Sequence, residues 1–137
     1  MPQSLSKIYI HTVFSTQNRD PFLADEALRE ELHDYMGGIA RQPDCYPLRI
    51  GGTADHVHLL TTLARTTTVS DLVKEVKRVS SVWLHEKGNS GFKWQAGYAS
   101  FSVSESKLER VEKYVSSQIE HHRRNSSWND TFRWCSI

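Results

Sequence analysis

A chain of 137 residues with 38% hydrophobic, 10% aromatic and 24% charged side chains has the make-up of one globular domain with a real core, and is too short for two. No apolar run approaches the roughly 18 residues that span a bilayer, Met1-Pro2-Gln3-Ser4 opens no signal-peptide core, and Cys45 and Cys135 fall in no metal-ligand spacing. The expectation is a reduced, cytoplasmic protein with no membrane segment. The net charge of +1 excludes no partner class. Residues 21–44 set two arginines against six acids, and residues 71–93 set five lysines and arginines against three acids, so a basic patch is allowed.

Residues 5–15 alternate, with Ile8, Ile10 and Phe14 against Tyr9, His11 and Ser15, and read as a strand. Asn18-Arg19-Asp20-Pro21 is a turn. From Asp25, Leu28, Leu32, Tyr35, Met36 and Ile39 follow helical spacing. Acids crowd the first turn of this helix, and Gly37-Gly38 weakens its end. Residues 45–52 form a second strand with Tyr46, Leu48 and Ile50 on one face. Gly51-Gly52-Thr53-Ala54 turns it into a third, 55–64.

The third strand contains Asp55-His56-Val57-His58-Leu59-Leu60. Alternation puts both imidazoles on one face, roughly 6–7 Å apart along the strand, with Val57 and Leu59 on the other. By itself H-x-H is weak, because exposed or hydrogen-bonded strand histidines give the same pattern. Residues 69–87 make a second helix with Val69, Leu72, Val73, Val76, Val79 and Trp83 as its core stripe, capped by Thr68 or Ser70. Lys74, Lys77, Arg78 and Ser81 fall on its other side, as a solvated face or as a surface for phosphates. After a loop at 88–97 with Phe92 and Trp94, residues 98–103 form a fourth strand. Ser104 caps a third helix running to about Arg124, and the tail 125–137 holds Trp128, Phe132 and Trp134.

The order β-α-β-β-α-β-α, without its last helix, is the split βαβ pattern: α+β, ferredoxin-like, an antiparallel sheet with two helices on one face. Those two helices cover Val57 and Leu59. The additional C-terminal helix is then the candidate to cover His56 and His58. On it Tyr114 and Gln118 lie four apart, about 5–6 Å between β-carbons, at the edge of the stripe Leu108, Val111, Val115, Ile119 and His122. A phenol, an amide oxygen and two imidazoles can thus share one volume. Three such neutral ligands can hold a divalent cation with positions open to phosphate oxygens, and a tyrosine beside it is a nucleophile. The product, a phosphotyrosine, conserves the bond so that a DNA hydroxyl can reverse the step without ATP.

At this point the sequence resembles the single-tyrosine, HUH-type transposases of small bacterial insertion sequences, and the related proteins acting on repetitive extragenic palindromes. The resemblance covers nearly the whole chain, 1–137, as one such domain. It rests on His11-Thr12-Val13-Phe14-Ser15-Thr16 with Arg19 and Pro21, on Asp55 to Leu60, and on Lys77 to Ser81. It continues through Trp94-Gln95-Ala96-Gly97-Tyr98, Phe101 to Ser104, and Tyr114 with Gln118 and His121-His122. It implies that His56, His58 and Gln118 bind a divalent metal, magnesium or manganese, and that Tyr114 is the nucleophile. It also implies a single-stranded DNA substrate with hairpins and a homodimer, leaving open which subunit supplies the tyrosine. Lys74, Lys77, Arg78 and Ser81 are then candidate DNA contacts. Rival readings are a replication or transfer nickase of the same chemistry, and a catalytically silent or domesticated DNA-binding relative. A zinc hydrolase is disfavoured because alternation points Asp55 away from the histidines.

Overall fold

Alternation along the strands and helical spacing along the helices sort the apolar side chains into layers on the two sides of one sheet. The structure, a computed structural model, describes residues 4–117. Its elements are β1 (Tyr9–Ser15), α1 (Glu26–Arg41), β2 (Pro47–Gly52), β3 (His56–Thr62), α2 (Val69–Glu86), β4 (Ala99–Val103) and α3 (Leu108–Ser116). The strands lie in the order β2-β3-β1-β4, each antiparallel to its neighbours. This is the expected split βαβ sheet, with β1 and β3 at its centre. Among the described residues no helix is long and apolar enough to cross a membrane.

One layer packs Ile10, Phe14, Val57 and Leu59 of the central strands against Leu32, Met36 and Ile39 of α1 and Leu72, Val73 and Val76 of α2. On the opposite face Leu60 meets Val111, Tyr114 and Val115 of α3, with Leu48, Val103 and Leu108 at the margin. Asp25 caps α1, its carboxylate accepting from the backbone N–H groups of Ala27 and Leu28. Thr68, not Ser70, caps α2 by accepting from the Asp71 N–H at 3.0 Å.

Several expected boundaries move, each for a local reason. β1 begins at Tyr9, where pairing with Thr62 of β3 starts, and Leu5 lies 86% exposed. The Gly37-Gly38 pair does not end α1, which runs to Arg41. Gly37 packs beside β2, where a β-carbon would meet the Pro47 ring at an ordinary contact distance of 3.4 Å. Leu48 and Ile50 do not share a face: a register shift between Pro47 and Arg49 sends Leu48 to the α3 side and Ile50 to the α1–α2 side. Ser104 does not cap α3 directly. It precedes a single 3₁₀ turn, Glu105–Lys107, and its hydroxyl bonds Ser106. The expected continuation of α3 to Arg124 and the packing of the tail 125–137 lie outside the described residues.

Candidate active site

The register of the central strands builds the site. β1 and β3 pair so that Val13 faces His58, Ser15 faces His56 and His11 faces Leu60. Directly opposed residues share a face, and so do residues two apart on one strand. His11, His56 and His58 therefore all project from the face that α3 covers, and all three are buried. The His56 and His58 rings have centroids 5.1 Å apart. His11 stacks on His58 at 5.0 Å, and its Nε2 lies 2.8 Å from His58 Nδ1. Burial lowers the His11 pKa to about 4, so this ring is neutral at neutral pH.

The helix joins the cluster on the sheet face it was the candidate to cover. Tyr114, 8% exposed, presents its ring edge-on to His58 at 5.7 Å and to His11 at 6.1 Å. The tyrosine thus packs on the histidines of its own chain. What lets α3 come so close is Gly51, opposite His58 in the ladder, where a β-carbon would overlap the main-chain carbonyl of Val115. Gly51→Ala should leave the α1–α2 layer intact but lift α3 off the sheet. An error of order 1 Å at a reacting group costs about a hundredfold in rate. We expect that scale of loss in any reaction carried out by this cluster, with faster amide exchange across 111–116. Unchanged rate and protection would mean that the helix docks without this close approach.

Two further shells of polar contact were not anticipated from the sequence. Asp55 does not point away from the histidines: its Oδ1 lies 2.8 Å from His56 Nδ1, which also lies 2.8 Å from Thr53 Oγ1. Alternation failed here because Asp55 belongs to the turn and β3 starts at His56. Burial alone would raise the Asp55 pKa. The hydrogen bond from His56, with the Arg19 charge and the Thr53 hydroxyl, outweighs burial and holds it below the ordinary carboxylate value. A carboxylate only accepts, so His56 carries its proton on Nδ1 and its lone pair on Nε2. Arg19 Nε lies 3.4 Å from the other Asp55 oxygen. Asn18 and Arg19 hold φ of 57° and 55°, a left-handed conformation pinned by Asn18 N–H donating to Gln95 Oε1. The signal available in the sequence for His11 was its parity with Ser15 on β1.

The donor set fits a divalent cation in part. His56 shows the carboxylate–histidine pairing that orients a metal-ligating imidazole. Among the described residues no three His, Cys, Asp or Glu side chains form a metal-binding group. Gln118, the expected amide ligand, lies outside the described residues.

The residues singled out on α2 do not join this cluster, because α2 lies on the other side of the sheet. Lys74 is exposed, Ser81 is half-buried, and Arg78 pairs with Glu75 at 2.6 Å. The Lys77 ammonium donates to the carbonyls of Gln95 (2.8 Å) and Gly97 (2.6 Å), 5.2 Å from the Phe14 ring centre. It fastens the 93–97 segment, which in turn holds the end of β1 through Gln95 N–H to Ser15 O.

Comparison with known proteins meets this geometry. A family model described as "Transposase IS200 like" matches residues 4–118. The chain is similar to the ISDra2 transposase TnpA of Deinococcus radiodurans, with 29% identity over 115 residues, covering 79% of this chain and 81% of that protein. It also resembles a crystal structure of a transposase from Deinococcus radiodurans R1 (TM-score 0.64, 26% identity, 86% of this chain and 98% of the other). A third likeness is to a tyrosine transposase bound to a REP hairpin (TM-score 0.62, 15% identity, 85% of this chain and 70% of the other), and at that identity it is one of fold.

Proposed function

This chain belongs to the IS200-like family of transposases, and from that membership we propose that it cuts and rejoins single-stranded DNA through a covalent 5′-phosphotyrosine on Tyr114. The observation that carries the proposal is the buried Tyr114 ring set 5.7 Å from His58, beside a His56 whose tautomer Asp55 has fixed. Tyr114 Oη bonds to the scissile phosphorus as the bond to the 3′-oxygen breaks. The phenol loses its proton and the departing 3′-oxygen gains one. Attack by another 3′-hydroxyl reverses the exchange, so no nucleotide cofactor is consumed.

His56 and His58, with Gln118, are the proposed ligands of a magnesium or manganese ion. Such an ion, when bound, supplies a Lewis acid to the phosphate oxygens. The chain's own groups set the geometry: Asp55 and Thr53 orient His56, and Gly51 admits the helix that brings Tyr114. The substrate proposed is a single strand with hairpin ends, as in the hairpin-bound fold relative, and the working unit a homodimer. A single-stranded hairpin oligonucleotide labelled at its 3′ end tests this. Its label should become bound to denatured protein, and be released by a second strand bearing a free 3′-hydroxyl. Label transfer from the 5′ end instead would reverse the polarity proposed.

Lys74, Lys77, Arg78 and Ser81 are proposed to follow the DNA backbone away from the reacting centre. Lys74 and Arg78 stand on the solvent side of α2, and Lys77 and Ser81 at its half-buried margin. Replacing Lys74 and Arg78 with alanine should weaken binding for all sequences and flatten the log–log salt dependence by about 0.7 for each phosphate no longer neutralised. An unchanged slope would make them solvated residues only.

A further inference from the structure

We propose that His11 is a positioning residue for His58, accepting a hydrogen bond at Nε2 from His58 Nδ1–H and so fixing the His58 lone pair on Nε2. This rests on the reading of His58 as a metal ligand. The two nitrogens are 2.8 Å apart and the rings stack with an interplanar angle of 29°. A neutral imidazole has one N–H and one lone pair, so a bond between two of them makes one ring the donor and the other the acceptor. For His58 to offer Nε2 to a cation its proton must sit on Nδ1, and His11 must then receive at Nε2. The bond thus assigns both tautomers at once.

The placement is rigid. His11 and His58 sit on the two central strands, two ladder positions apart, both buried under Tyr114. A cation on Nε2 acidifies Nδ1–H and strengthens the bond, as for any second-sphere partner of a metal-bound histidine. The two histidines are supported by different chemistry, a carboxylate behind His56 and a neutral ring behind His58. A single supporting carboxylate leaves more of the cation's charge for a phosphodiester than two would.

The test reads tautomers and metal affinity, neither of which needs DNA cleavage. In the metal-free full chain, long-range ¹H–¹⁵N correlation should show His58 as the Nδ1–H tautomer; an Nε2–H tautomer would overturn the proposal. By calorimetry, His11→Phe should bind Mn²⁺ about 10–100-fold more weakly than wild type. His11→Gln, whose amide oxygen can accept the same bond, should recover most of the loss. Equal Mn²⁺ affinity in wild type and His11→Phe would reduce His11 to packing. If His11→Phe fails to fold, the wild-type tautomer and the affinity of His11→Gln still decide. A wild-type protein that binds no Mn²⁺ would fail the metal reading itself, whereas the His58 tautomer in the metal-free state judges His11 separately.

Discussion

His56→Ala and His58→Ala should each abolish cleavage of a single-stranded hairpin substrate while leaving the protein folded. EDTA should do the same to the wild type, with Mg²⁺ or Mn²⁺ restoring activity. Both imidazoles are buried on the α3 face of the central strands, and each is oriented through Nδ1, His56 by Asp55 and Thr53 and His58 by His11. Removing either ring deletes a proposed ligand from a set that has few to spare. Mn²⁺ should act at lower concentration than Mg²⁺, since imidazole nitrogen prefers the former. Asp55→Asn keeps the ligand and weakens its support, so its loss should be smaller, about 10–100-fold in metal affinity. Full activity in EDTA would remove the metal from the mechanism.

Tyr114→Phe should keep the fold and the DNA binding and lose the chemistry entirely. The phenyl ring preserves the edge-on packing on His11 and His58 and beside Val111 and Val115. Only the hydroxyl is removed, and with it the atom that would bond to phosphorus. The thermal midpoint should therefore move by a few degrees at most, the scale of about 1 kcal/mol in a domain this size. A variant that still accumulates denaturation-resistant protein–DNA adduct would place the nucleophile elsewhere.

The sequence was most legible where a period was long enough to read. Alternation over residues 9–15 and 56–62 put Val57 and Leu59 into the α1–α2 layer and both strand histidines on the other face. The element order made α3, and Tyr114 with it, the candidate to cover those histidines, and there it lies. Alternation misled wherever the strand was interrupted. A register shift after Pro47 separated Leu48 from Ile50, and the turn before His56 swung the Asp55 carboxylate onto the ring it was expected to avoid. Contacts between distant segments were not readable at all. Nothing in the spacing of Lys77 announces carbonyls at Gln95 and Gly97, and nothing in Gly51 announces the Val115 carbonyl against it. His11 was visible as part of a motif, yet its bond to His58 depends on strand register, which a single strand does not encode.

That one tyrosine becomes covalently joined to DNA is tested most directly by peptide mass spectrometry of the trapped adduct. Wild-type protein is incubated with a hairpin-bearing single strand and a divalent cation, denatured, and digested with nuclease and protease. The expected product is a nucleotide linked through its 5′-phosphate to Tyr114 and to no other tyrosine. Attachment at Tyr98, attachment through a 3′-phosphate, or no covalent adduct during active strand joining would contradict it.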